Sequence, residues 1–569
     1  MADNQNLLDE MAHWTGIAGR MQQMLMEHGA SAALKMVDDT AKRMAGGNFE
    51  PEKIAEQQAA WWKDALAQWQ AMLPDAAKAA AASDRRFKGA RWEEPIFDMI
   101  RQSYVAISDQ LLKGVDAIEG IDPRQKEQLR FATQSFVEAM SPANFALTNP
   151  DVLDRIFETR GANLITGLER MLSDIGAGQI RHVGENAFEV GKTIATTPGK
   201  VIHETPLYQL IHYAPTTESV QATPLVIFPP WINRFYILDL SPEKSFVKWA
   251  VDQGLSVFMV SWKSADADMA GITMDDYVLR GELDAIDTIR DLLGVSSVHV
   301  VGYCVAGTAL SMLLAWLAAK GEAEKVASAT FFTAQVDFTQ AGDLTLFVDD
   351  AQLAMIENLA TDGYLDGRYM GATFNLLRGR DLIWNYVVNN YLLADPYKAF
   401  DLLHWNSDVT NLPANWHRAY LADFYRDNKL AKGEMTVDGT TLDLKAIRTP
   451  SYVQAGREDH IAPPESVWKL THYFSGPLRF VLAGSGHIAG VVNPPAAGKY
   501  QYWTNEKMAE TLDEFVAGST EHKGSWWPDW RAWIEPRSGG TVPARGARVP
   551  GKGKLKPIED APGRYVRTR

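Results

Sequence analysis

Residues 302–307 read Gly-Tyr-Cys-Val-Ala-Gly, after the apolar run SSVHVV and before TALSMLLAWLAAK, which has the composition and length of a helix. A tight turn between a strand and a helix is the setting of a nucleophile elbow, where strained backbone presents one side chain at the edge of a sheet. Such a turn accepts only small neighbours, and Gly302, Ala306 and Gly307 are small. Cys304, the single cysteine of the chain, is the expected nucleophile. The helix behind it aims free N–H groups and the positive end of its dipole at the turn, which favours a thiolate and an oxyanion alike. The competing reading is a small buried hydrophobe ending a strand. The small residues on both sides and the downstream helix favour the elbow.

An elbow nucleophile needs an acid after a later strand and a histidine after the last one. PSYVQAG leads into Arg457-Glu458-Asp459-His460, and LRFVLAGSG leads into His487. Both loops leave the C-terminal end of a strand, where an open α/β sheet builds its site. His487 is the expected base, because His460 would have to turn its ring back on its own neighbour; His460 is read as supporting. Glu458 and Asp459 compete for the acid. The backbone N–H of Val305 is expected as one oxyanion donor, and that of Ile232 in the loop PPWINR as the second.

These residues need a scaffold that brings three loops together. After Val201, apolar runs (PLYQLIHY, TPLVIFPPW, LSVFMVSW, SSVHVVGYC, SATFFTAQV, PSYVQAG, LRFVLAG) alternate with amphipathic helices such as DDYVLRGELDAIDTIRDLL. Near-continuous apolar strands are covered on both faces, which predicts a mostly parallel sheet with crossover helices. About a hundred aromatic-rich residues separate SATFFTAQV from PSYVQAG, far beyond an ordinary αβ connection, and predict a cap inserted over the C-terminal edge. Within it, Trp405 in DLLHWNSDVTNLP is read as core packing or as a channel wall. The first 200 residues show helical periodicity. The expected organisation is a helical domain over 1–200 with an arm to about 82, a catalytic domain over 201–515 with its cap at about 337–444, and a basic C-terminal tail over 516–569. Trp61, Trp62 and Trp69 form a face that serves either as core or as contact surface.

A net charge of −15 argues against nucleic acid as a partner. From Arg537 onward the balance reverses, nine basic residues against two acids, which reads as a solvated tail or as a contact with an anionic surface. One cysteine allows no intramolecular disulfide and no thiolate cluster for a metal. The N-terminus has no targeting pattern, and the longest apolar run, near Leu310 to Ala319, is too short to span a bilayer, so a soluble cytoplasmic protein is expected.

Over essentially its whole length the sequence resembles the class I polyhydroxyalkanoate synthases. The segments that carry the resemblance are DRRFKGARWEEPIFDMIRQSY, SPANFALTNP, PPWINRFYILDL, GYCVAG, DLLHWNSDVTNLP, GREDHIAP, GSGHIAGVVNPP and SWWPDW through APGRYV. The chain departs from the family's G-x-C-x-G-G box at Ala306, where a methyl costs little if φ is negative. The resemblance implies an α/β-hydrolase fold with an inserted cap behind an all-helical domain. It also implies the roles of Cys304 and His487, and it selects Asp459 as the acid. The implied activity is polymerisation of (R)-3-hydroxyacyl-CoA, with 3-hydroxybutyryl-CoA foremost, into polyester with release of CoA, and with neither cofactor nor metal. A homodimer, granule association and granule-associated partners follow from the resemblance alone. A Cys-dependent thioesterase or esterase would share the elbow, acid and histidine but would not need the helical leader or the APGRYV ending. A granule coat protein would need neither elbow nor triad.

Overall fold

The computed structural model describes residues 75–507 and 509–568. Trp61, Trp62, Trp69 and most of the expected arm lie outside the described residues. The chain divides into two compact units, one of residues up to His182 together with Ala372–Lys398, the other of Val183–Gly371 together with Ala399 onward.

The larger unit is built on an eleven-stranded sheet. Its strands are β1 (Gly199–Glu204), β2 (Tyr208–Tyr213), β3 (Leu225–Phe228), β4 (Val257–Trp262), β5 (Val298–Tyr303), β6 (Val326–Phe332), β7 (Ser451–Gly456), β8 (Leu478–Ala483), β9 (Gln501–Thr504), β10 (Thr520–Lys523) and β11 (Glu559–Asp560). They are ordered β10-β9-β8-β7-β6-β5-β3-β4-β2-β1-β11. The run from β4 through β3, β5, β6 and β7 to β8 is parallel, and the remaining pairs are antiparallel. This is the topology of an α/β-hydrolase. Every residue of β3, β4, β5 and β7 is buried, as continuous apolar runs require. Register aligns the strand ends: Phe228 pairs with Gly302, Tyr303 with Phe332, Gln454 with Phe332, and Gly456 with Ala483. The loops after β3, β5, β6, β7 and β8 therefore open at one edge.

The helix Val305–Lys320 is apolar all round and buried almost throughout, as a helix at the centre of a large unit must be. The expected crossover helix is present as Asp284–Leu293, entered through a π-turn over Asp276–Leu283. Short strands β9, β10 and β11 extend both ends of the sheet. The C-terminal stretch, expected as a solvated tail, is folded into this unit. β11 pairs with β1, Arg548 is buried against the carbonyls of Gln221 and Ala222, and Tyr565 donates its hydroxyl to Thr205 O at 2.8 Å.

In the smaller unit, Pro95–Asp116, Pro123–Ala139, Pro150–Thr159 and Ala162–Ala177 are helical. Proline opens the first three, where its missing N–H is no loss, and Asp122 and Asn149 cap the second and third. Segment 372–398, from the middle of the expected cap, packs on these helices. Asn163 Nδ2 donates to Leu392 O (2.7 Å), Arg170 Nη1 to Asp395 O (2.7 Å) and the Tyr391 hydroxyl to Asp174 Oδ2 (2.6 Å).

The remainder of the insertion stays with the catalytic unit and is stitched to the loop after β3. Asn233 and Val409 form an antiparallel bridge, Thr410 Oγ1 donates to Trp231 O (2.5 Å), and Asp408 accepts from Arg234 Nε (3.4 Å) and the Tyr236 hydroxyl (2.8 Å). Trp405, on the helix Asp401–Ser407, is 4% exposed within an apolar cluster that includes Phe235, Phe332 and Trp526, and its Nε1 donates to Arg234 O at 2.7 Å. Trp405→Ala should therefore destabilise the protein by about 3–5 kcal/mol, read as a lower melting temperature. A wild-type melting temperature would contradict this packing role.

Candidate active site

Cys304 occupies the turn between β5 and the helix Val305–Lys320 with φ 54° and ψ −124°. That backbone is strained for a residue with a Cβ. Its neighbours show why they must be small. A Cβ on Gly302 would stand 2.6 Å from Gly307 Cα, and one on Gly307 would stand 2.4 Å from the Ala334 methyl. Ala306 lies inside the helix with negative φ, so the methyl that departs from the glycine box is accommodated. The turn is tied down by Cys304 N–H to Phe332 O (2.9 Å) and by Gly307 and Thr308 N–H to Cys304 O (2.9 and 3.2 Å). The thiol is half-buried.

Asp459 and His487 converge on it from the loops after β7 and β8. His487 Nδ1 donates to Asp459 Oδ2 at 2.7 Å, and the Asp459 side chain is fully shielded from solvent. Asp459 Oδ1 accepts the backbone N–H groups of Ile461 (2.8 Å) and Ala462 (2.9 Å), so both carboxylate oxygens are satisfied and its orientation is fixed. Cys304 lies close enough to act on the same imidazole. Burial by itself would lower the His487 pKa. The charges of Asp459 and Cys304 and the hydrogen bond to Asp459 outweigh it and push the value up to about 10. His182, His212, His299 and His417 move the opposite way, held neutral by burial. An imidazole with a carboxylate on Nδ1 and a thiol on its other side can take the thiol proton and hold an imidazolium beside a thiolate.

The other expected residues divide. Val305 begins the helix, so its N–H has no acceptor within the helix. Ile232 lies four residues beyond Phe228, whose partner on β5, Gly302, is two residues from Cys304, and its carbonyl accepts from Thr410 Oγ1 at 2.8 Å. Glu458 is exposed while its neighbour Asp459 is buried. His460 is half-buried, and Asp459 makes its ring contact with His487. The sequence reading passed over Tyr420 and Tyr425. Tyr420 is buried and Tyr425 half-buried, their rings meet edge to face with centroids 5.6 Å apart, and both have pKa values pushed upward by burial and by the charge of Cys304. Tyr420 ends the helix Ala414–Tyr420 and Tyr425 lies in the π-turn Leu421–Arg426 that continues it, where a five-residue spacing returns to one face. Alpha-helical periodicity sets them apart, which hid the pair. Among the described residues no group of three His, Cys, Asp or Glu side chains is arranged to hold a metal, and no described helix is long and apolar enough to cross a membrane.

With this geometry in view, residues 83–250 match the family described as poly-beta-hydroxybutyrate polymerase (PhaC) N-terminus, and residues 228–494 match the alpha/beta hydrolase fold. The chain is 44% identical over 524 residues to a poly(3-hydroxyalkanoate) polymerase of Methylorubrum extorquens, covering 91% of this chain and 86% of that one. It is 45% identical to the poly(3-hydroxyalkanoate) polymerase subunit PhaC of Rhizobium meliloti, covering 86% of this chain and 80% of the relative. The PhaC subunit of Cupriavidus necator is 40% identical over 576 residues, covering 100% and 95%.

The proton on His487 is bound more tightly in the folded chain than at the ordinary value of 6.5, so its stabilising contribution is complete below about pH 6.5 and is lost as pH rises through about 10. Asp459→Asn removes the largest of the interactions that raise it. Titration of histidine ring nitrogens by NMR should then find the His487 midpoint displaced to lower pH. An unmoved midpoint would contradict the electrostatic account of the pair.

Proposed function

The chain belongs to the poly(3-hydroxyalkanoate) polymerase family, and from that premise we propose that it extends a polyester through acyl groups held covalently on Cys304. It is an acyltransferase that polymerises hydroxyalkanoate units. The observation that carries the proposed chemistry is the strained Cys304 at a helix N-terminus, close enough to act on a histidine that is hydrogen-bonded in turn to a buried carboxylate.

The substrate proposed is (R)-3-hydroxyacyl-CoA, with 3-hydroxybutyryl-CoA foremost. His487 accepts the Cys304 proton, and the thiolate attacks the thioester carbonyl. The oxyanion is held by the N–H of Val305 and, in this reading, by that of Ile232. Collapse breaks the bond to CoA, which leaves with the proton from His487. One thioester replaces another, so the acyl group stays activated. A 3-hydroxyl then attacks the Cys304 thioester while His487 takes its proton. The new oxygen ester forms as the sulfur is released, and Asp459 stabilises the imidazolium in both halves. Tyr420 and Tyr425, with Trp416 and Phe338 packed around them, line the insertion side and favour a hydroxyl over water by keeping the thioester dry.

The same reading assigns the helical unit to contacts with a second copy or with the surface of a polymer granule in the cytoplasm, where granule-associated proteins would meet it. The apolar side chains it exposes, among them Phe136, Leu147, Phe157 and Ile175, support that assignment.

Supplying (R)-3-hydroxybutyryl-CoA should give CoA release accompanied by insoluble polyester, and Cys304→Ala should lose both while remaining folded. CoA release with free hydroxy acid in place of polymer would make the chain a thioesterase. Turnover by Cys304→Ala would contradict the covalent route.

A further inference from the structure

The segment SWWPDW, residues 525–530, has no part in the chemistry above, yet it is tied to the strands and the loop that deliver the triad. Asp529 accepts from the Tyr452 hydroxyl on β7 (2.9 Å) and forms a bidentate pair with Arg479 on β8 (2.9 and 2.7 Å). Trp530 Nε1 donates to Thr330 Oγ1 on β6 at 3.0 Å. The helix Trp527–Ile534 is therefore fixed to three adjacent strands, including the two whose loops carry Asp459 and His487.

From that anchorage two fully buried indoles reach the histidine loop. Trp526 Nε1 donates to Gly490 O at 2.8 Å and Trp527 Nε1 to Val491 O at 3.0 Å. From the nucleophile's own strand, the Tyr303 hydroxyl donates to the carbonyl of His487 itself at 2.9 Å. The loop closes internally through Gly490 N–H to Gly486 O (2.8 Å), the Val491 and Val492 N–H groups to Ile488 O, and Asn493 N–H to Val491 O (3.1 Å). Asp459 sets the rotation of the imidazole, but it does not set where the loop's backbone stands. The Glu458 N–H holds its start at Ser485 O (3.0 Å), and three buried side-chain donors hold it from His487 onward, one from the strand that bears Cys304 and two from a helix bolted to the strands beside it.

We infer that Tyr303, Trp526 and Trp527 are positioning residues, a three-donor clamp that holds the His487 backbone at the distance from Cys304 needed for proton transfer. The inference rests on His487 being the base. Losing the Tyr303 or Trp526 donor leaves the His487 or Gly490 carbonyl unsatisfied, losing the Trp527 donor leaves Val491 O with the Asn493 N–H alone, and either lets the loop shift; a displacement of about 1 Å at a reacting group can cost up to about a hundredfold in rate.

The test compares Tyr303→Phe and the double variant Trp526→Phe/Trp527→Phe, which keep buried rings and lose the donors, with His487→Gln as reference. Readouts are kcat, KM, melting temperature and the pH dependence of Cys304 alkylation by iodoacetamide. The expected result is a kcat lowered about ten- to a hundredfold with KM unchanged, and an alkylation profile displaced toward that of His487→Gln. Wild-type kcat and alkylation in folded variants would overturn the clamp. If the double variant fails to fold, Tyr303→Phe, which loses one oxygen, decides by the same readouts. Alkylation unaltered in His487→Gln would overturn the assignment of the base and the inference with it. An altered profile there beside a normal one in Tyr303→Phe would overturn the clamp alone.

Discussion

Holding a cysteine at φ 54° and ψ −124° costs on the order of 1–3 kcal/mol of backbone strain, and the surrounding architecture offsets that cost. The turn exists because Gly302 and Gly307 let strand and helix approach to within a missing methyl of each other. It is pinned because β6, the neighbouring strand, offers the Phe332 carbonyl to the Cys304 N–H. From it follow the outward thiol, the free N–H groups of the helix start, and the need for the loops after β7 and β8 to end at the same edge. Parallel pairing in register, with Gly456 opposite Ala483, meets that need.

Electrostatics then decide what the thiol can do. Asp459 is shielded from solvent but has three hydrogen-bond donors, so it can carry charge without stranding it. That charge and the adjacent sulfur raise the imidazole of His487, while histidines elsewhere in the core are held neutral. In the proposed route an imidazole so held takes the thiol proton as the sulfur attacks a thioester. The same activated sulfur would serve water equally well, which gives physical meaning to the insertion's buried aromatic residues.

Much of this was legible in the sequence because it depends on local pattern. Strand, small turn and helix marked Cys304, and strand ends marked the loops of Asp459 and His487. The choice of Asp459 over its exposed neighbour Glu458 came from resemblance rather than from spacing. What was hidden depends on long-range pairing. β9, β10 and β11 are short and partly polar, so they take their identity from the strands beside them. Segment 372–398 has an ordinary helical pattern, and nothing in it announces that its partners are helices some two hundred residues earlier. The basic ending reads as solvated because it is a run of like charges, although Arg548 before its lysines and β11 and Val566 beyond them are bound into the unit. Indole donors at Trp526 and Trp527 likewise look like ordinary core residues until their acceptors are known.

The covalent route through Cys304 is the claim on which the rest stands, and the acyl-enzyme tests it most directly. The protein is mixed with one equivalent of (R)-3-hydroxybutyryl-CoA, quenched in acid within a turnover, digested and analysed by mass spectrometry. The account predicts a single 3-hydroxybutyryl group, or a short oligomer of it, on the peptide containing Cys304, with an equal amount of CoA released. Polymer formed while the Cys304 peptide stays unmodified, or an acyl group on another residue, would contradict it.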